Sequence, residues 1–185
     1  MNRGKIVDMV GAGSLRSGSM PLQRMQSWLM RTVNGMSGPA SHRLIHGSCH
    51  CGNVRFTLQW PDARAPIPVR ACGCTLCTKH RGVWTSHPNG RFALQIGDPS
   101  GVRLYRFGTR TADFHVCTTC GVVPIVTCTI DGVRFAVVNV NTFDDVDRSE
   151  LIESRADFEG ETTQSRLERR RRHWTPEAPA DEPPG

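Results

Sequence analysis

The sequence predicts a mainly β fold: small zinc-stabilised antiparallel sheets followed by a short C-terminal helix. Three observations carry that expectation. Seven of the eight cysteines fall in three tight clusters, Cys49/Cys51, Cys72/Cys74/Cys77 and Cys117/Cys120. Between and around them the chain alternates apolar and polar residues over short runs, the pattern of half-buried strands. Prolines at 61, 66, 68, 88 and 99 interrupt that region and discourage long helices.

The strands can be placed one by one. Val54–Trp60 alternates cleanly, with Val54, Phe56, Leu58 and Trp60 on one face. Val102–Phe107 is a second candidate. Val122–Ile130 and Val133–Val140 are two β-rich runs joined by Asp131-Gly132, a dipeptide that accepts the positive φ angles of a two-residue hairpin turn. Residues 161–173 form the best helical segment and end in the basic run Arg169–Arg172, which suits the negative end of a helix dipole. That run reads as a solvated helix end, with contact to nucleic acid as the alternative.

These runs divide the chain into four parts. Residues 1–40 read as a disordered extension, with a short amphipathic helix conceivable over Leu22–Met30 and Met36 as an alternative start. Residues 41–160 form the zinc domain, residues 161–174 the basic helix, and the Pro- and acid-rich residues 175–185 a disordered tail. The formal net charge of +6 is concentrated at the N-terminus, where Arg3, Lys5, Arg16, Arg24 and Arg31 face only Asp8. Seven thiolates on two zinc ions bring the middle of the chain close to neutrality. The charge therefore argues weakly for a nucleic-acid surface. No apolar run reaches the ~20 residues of a membrane helix, and the first 40 residues hold no signal-peptide core. With 38% hydrophobic residues the core is modest, so metal binding is expected to add stability.

The cysteine spacings favour metal over disulfides, because C-x-C and C-x-x-C place the sulfurs side by side. Free thiols imply a reducing compartment, the cytoplasm. Cys49/Cys51 and Cys117/Cys120 are each followed by glycine, which permits the left-handed turn of a metal knuckle. Together they can close one four-sulfur structural site. The trio Cys72, Cys74 and Cys77 can hold a second zinc with one position open for water or substrate, unless His80, His115 or Cys128 closes it. Cys128 lies in an alternating β run and reads as a small buried hydrophobe.

The pattern resembles the glutathione-dependent formaldehyde-activating enzyme family, which includes the centromere protein V domain. The resemblance rests on GSCHCGNVRF from Gly47, CGCTLC from Cys72 and FHVCTTCG from Phe114. NVNTFDD from Asn139, DFEGE from Asp157 and the segment Arg169–Trp174 add to it. It covers about Leu44 to Trp174. It implies a β-tent-like assembly of small sheets with two zinc ions per chain. Cys49, Cys51, Cys117 and Cys120 match the structural zinc ligands, and Cys72, Cys74 and Cys77 those of the active-site zinc. The implied reaction joins formaldehyde to glutathione, giving S-hydroxymethylglutathione, or runs backwards as a carbon–sulfur lyase. The implied partners are thus a small thiol and an aldehyde, with no membrane. One departure is visible: Gly73 stands where many members have His. Lys79, His80, Arg81, Arg110 and His115 are candidates for handling the proton or the glutathione carboxylates, and Trp84 and Phe114 for walls of a pocket. Two other classes remain open: a non-catalytic zinc module for nucleic acid or chromatin, and a redox sensor whose trio releases zinc on oxidation.

Overall fold

Alternation along the second strand shows how this domain is built. In β2 (Val54–Trp60), Val54, Phe56, Leu58 and Trp60 are all buried. The strand pairs antiparallel with β1 (Arg43–Ser48) on one side and with β5 (Arg91–Ile96) on the other. The structure, a computed structural model, describes residues 42–181. The extension at 1–40 and its expected helix at Leu22–Met30 lie outside the described residues, as do residues 182–185.

The remaining strands form an eight-stranded sheet. They are β3 (Ile67–Cys72), β4 (Val83–Thr85), β6 (Val102–Tyr105), β7 (Asp113–Cys117), β8 (Ile125–Ile130), β9 (Val133–Asn139), β10 (Leu151–Ala156) and β11 (Thr175–Pro176). Their order is β10-β3-β4-β9-β8-β7-β6, with β11 also pairing β9. Every pair is antiparallel except β10 with β3, which is parallel. The expected hairpin is present: Asp131 and Gly132 have φ of 49° and 80°, and Ile130 stands opposite Val133. Two positive φ angles match the right-handed twist of the flanking strands.

β8 and β9 are buried on both faces. Ile125, Ala136 and Val138 pack with Phe56, Leu58 and Phe92 of the three-stranded sheet. Val126, Cys128, Ile130 and Val137 face the other way, toward Trp84, Trp174 and Leu167. Two α-helices are present among the described residues. Helix α1 (Thr75–His80) is a short turn between β3 and β4. Helix α2 (Thr163–His173) is capped by Thr162, whose Oγ1 accepts the Ser165 N–H at 3.1 Å.

The beginning of the expected disordered tail is ordered. Thr175 pairs with Ala136 and its Oγ1 accepts the His87 N–H at 2.9 Å. Glu177 pairs with Arg134, and Ala178 N–H donates to the Phe92 carbonyl at 2.8 Å. The polar composition of this stretch suggested solvation. Trp174 and Thr175, buried at its start, hold it against β9 instead.

Candidate functional site

Two glycine-terminated turns bring four cysteines together. Between β1 and β2, Gly52 (φ 74°) donates its N–H to the Cys49 carbonyl at 2.8 Å, and Cys49 N–H donates to Val54 O at 2.8 Å. After β7, Gly121 (φ 76°) donates to Cys117 O at 2.8 Å, and Cys117 N–H to Val122 O at 3.0 Å. The repeated geometry turns both sulfurs of each pair toward one point. Cys49 Sγ and Cys51 Sγ are 3.6 Å apart, Cys51 Sγ and Cys117 Sγ 3.4 Å, and all four sulfurs, Cys120 included, lie within 4.8 Å of one another. Tetrahedral zinc with bonds of about 2.3 Å separates its sulfurs by about 3.8 Å, so the four thiols fit one ion. Cys49 and Cys117 are buried in the core between the sheets.

The trio forms where β3 ends and α1 begins. Gly73 N–H donates to the Ala156 carbonyl at 2.9 Å, which ties this bend to β10. Cys74 is the N-cap of α1, and its sulfur accepts from Cys77 N–H at 3.5 Å. Cys77 sits within α1, buried, and its sulfur accepts the Trp84 Nε1–H at 3.2 Å. The three sulfurs lie within 4.8 Å of one another. Among the described residues no fourth His, Cys, Asp or Glu joins them. His80, His115 and Cys128 therefore do not close this cluster. The hydrogen bond from Cys77, with help from Cys74, lowers the Cys72 pKa to about 5 against the opposing effect of burial. Cys77 shifts upward through the same bond and through burial. The cluster already favours a thiolate at Cys72.

A cavity of about 430 Å³ opens against the trio. That volume suits a small-molecule ligand. Trp84, Phe107, Phe114, Phe158 and Trp174 supply an aromatic wall. Arg70, Arg166, Arg169 and Arg170 supply a cationic one. Sequence reasoning found Trp84 and Phe114 but missed the arginines. Lys79, His80, Arg81, Arg110 and His115 do not line this cavity. His80 borders a second cavity of about 340 Å³ on the far side of Cys77, Trp84 and Phe114. His115 is buried, its Nε2 is 2.9 Å from Thr127 Oγ1, and burial lowers its pKa to about 4.

The basic run of α2 is split by the packing. Arg170 is only 7% exposed. Its Nη1 donates to Thr111 O at 3.0 Å, Thr111 Oγ1 at 2.7 Å and Cys128 Sγ at 3.5 Å, and its guanidinium lies over the Trp174 ring. Arg169 grips Glu161 through two bonds of 2.6 and 2.8 Å and lies 3.7 Å from the Phe158 ring centre. Arg166 Nη2 donates to Phe158 O at 2.7 Å. Arg70 Nη2 donates to Ser86 Oγ at 2.7 Å. Arg171, in contrast, points outward and pairs with Asp131. The signal that could have found the inner face was helical spacing: Arg166, Arg169, Arg170 and Trp174 recur at three- and four-residue steps.

A two-sheet β domain with one four-thiol and one three-thiol cluster, the latter beside a cavity, defines a class of β proteins whose thiol clusters are able to hold metal ions. Residues 44–160 match the family of the glutathione-dependent formaldehyde-activating enzyme, and the chain belongs to that family. A curated protein of Halomonas elongata, which carries the provisional name of glutathione-dependent formaldehyde-activating enzyme, is 27% identical over 90 residues. The match covers 42% of this chain and 52% of that relative, so the chain spans about half its length. A crystal structure of a Rhodobacter sphaeroides protein is 25% identical, with a TM-score of 0.45, covering 59% of this chain and 99% of that one.

Proposed function

We propose that this chain is a zinc enzyme acting on a glutathione–aldehyde adduct, forming or breaking S-hydroxymethylglutathione as a carbon–sulfur lyase. One observation carries the reading: three convergent thiols, with no fourth ligand among the described residues, face a cavity of about 430 Å³. Cys49, Cys51, Cys117 and Cys120 would hold a structural zinc, and Cys72, Cys74 and Cys77 a second one. Zinc bound at the trio supplies a position where an incoming thiol loses its proton near neutral pH.

The rest falls to the chain's own residues. Trp84 Nε1–H donates to Cys77 Sγ. This bond draws electron density from the sulfur, so the trio quenches the metal's acidity less than three free thiolates do. The aromatic wall excludes water from the bond being made. In the forward direction the thiol sulfur bonds to the carbonyl carbon, and the carbonyl oxygen takes up a proton. In reverse the carbon–sulfur bond breaks, the hydroxyl proton departs and the carbonyl re-forms. Thiols add to formaldehyde unaided, so a modest acceleration suffices.

The nucleic-acid reading is weakened at the C-terminal basic run, where Arg169 and Arg170 are engaged with Glu161, Thr111 and the cavity. Free thiols in both clusters suit a reducing compartment such as the cytoplasm. Among the described residues no helix is long and apolar enough to cross a membrane.

The direct test is the visible spectrum of the cobalt-substituted protein during a glutathione titration. A saturable change in its sulfur charge-transfer bands, lost in Cys74→Ser, supports thiol binding at the trio. An unchanged spectrum at millimolar glutathione refutes it.

A further inference from the structure

Three buried side-chain nitrogens among the described residues have no hydrogen-bond partner: His115 Nδ1, Arg166 Nε and Arg170 Nε. Two of the three belong to arginines that line the cavity beside the trio. Buried polar groups are nearly always paired, and an unmet donor on a charged group is costly. Arg166 Nε lies 3.6 Å from Glu161 Oε2, too long for a hydrogen bond. Glu161 is already held by both Nε and Nη2 of Arg169. Arg170 is more than nine-tenths buried, and its Nη1 is fixed by Thr111, so its position is set before any ligand arrives.

The surrounding charges leave room for an anion. Asp157 and Glu159 line the same cavity, yet neither forms an ion pair with Arg70, Arg166, Arg169 or Arg170. Burial and the nearby Arg169 lower the Arg70 pKa.

We propose that Arg166 and Arg170 are specificity-determining residues: their guanidinium groups, which line the cavity, attract an oxyanion, a carboxylate, on the thiol ligand whose sulfur reaches Cys72, Cys74 and Cys77. The proposal rests on the thiol-binding reading above. It sets a direction opposite to the metal's own preference. Zinc with three thiolates carries a net negative charge, which by itself disfavours an acidic thiol. A preference for acidic thiols must then come from the arginines.

The test uses the full chain with cobalt in place of zinc and three small probes: 3-mercaptopropionate, 2-mercaptoethanol and cysteamine. The sulfur charge-transfer band reports binding of each. The expected order is 3-mercaptopropionate tightest, by about tenfold over 2-mercaptoethanol, and cysteamine weakest. Arg166→Gln should remove most of that preference while changing 2-mercaptoethanol affinity by less than about twofold. Arg166→Lys, which keeps the charge without the planar fork, should retain part of it. Equal affinities for the three probes in the wild type overturn the proposal. So does a full preference surviving in an Arg166→Gln protein that melts like wild type. If Arg166→Gln does not fold, a preference undiminished in Arg166→Lys overturns it equally. Should none of the probes change the band, the thiol-binding reading itself falls, a result distinct from binding without charge preference.

Discussion

The two cysteine clusters are made of the same side chain and are built in opposite ways. The quartet draws on residues far apart in sequence, from the β1–β2 turn and from the end of β7, and Cys49 and Cys117 are part of the core between the sheets. The trio comes from six consecutive positions and sits beside a cavity. A metal in the quartet joins the three-stranded sheet to the eight-stranded one. A metal in the trio joins little that the backbone has not already joined. Closure over long loops removes more freedom from the unfolded chain than closure over short ones. The difference teaches that, under the proposed function, sequence separation of the ligands is what would sort a structural site from a reactive one.

The comparison breaks first at Cys117. Cys117→Ser should abolish or severely weaken folding, because site formation and folding are coupled and apparent zinc affinities are on the order of 10 kcal/mol. A chelator strong enough to empty the quartet should do the same, read as loss of the cooperative thermal transition. If Cys117→Ser melts like wild type, the quartet is not structural. Cys74→Ser should behave differently. Metal content should fall from two ions to one and thiol binding should vanish, while the fold keeps most of its stability, because serine is itself a good N-cap for α1. A collapse of the fold in Cys74→Ser would erase the distinction.

Trp84→Phe sharpens the contrast on the reactive side. It keeps an aromatic ring in the wall and removes the N–H that reaches Cys77 Sγ. The expected loss is about 1 kcal/mol of stability, accompanied by a shifted charge-transfer band in the cobalt protein. An unchanged band would show that this bond does not tune the trio. Gly73→Ala should be nearly silent. A Cβ there would meet only the Ala156 carbonyl, at 3.7 Å, and the residue is exposed. A melting temperature altered by several degrees would show that glycine is needed for the bend itself.

What could be read in the sequence follows the same division. Knuckle turns, alternating β2 and the Asp131-Gly132 hairpin are local, and each is spelled out by adjacent residues. The arginine wall was not legible, because Arg169–Arg172 is one block in sequence but two faces on a helix, with Arg170 inside and Arg171 outside. Nor was the parallel pairing of β10 with β3, which depends on a crossover from distant chain. Cys128 read as a buried residue of an alternating strand. Its strand is in fact buried on both faces, because the three-stranded sheet and α2 cover opposite sides.

A last modest effect concerns the roof that the trio has and the quartet lacks. Helix α2 is held to the segment before it by Glu161, whose carboxylate pairs with Arg169. The hydrogen bond from Arg169 lowers the Glu161 pKa below its ordinary range, outweighing the effect of burial. A depressed carboxylate contributes stability that is fully present above its unfolded pKa, about 4.3, and lost as pH falls through the folded value. Glu161→Gln should therefore lower stability by about 1 kcal/mol at pH 7, after allowance for partial exposure. The gap between wild type and variant should narrow as pH is lowered below about 4.3. Urea midpoints of the two proteins across that range measure it directly. A gap that stays constant with pH would mean that the Glu161–Arg169 pair does not hold the helix. The roof would then rest on Leu167 of α2 and Trp174 at its C-terminal cap, which pack against Val126, Cys128 and Val137.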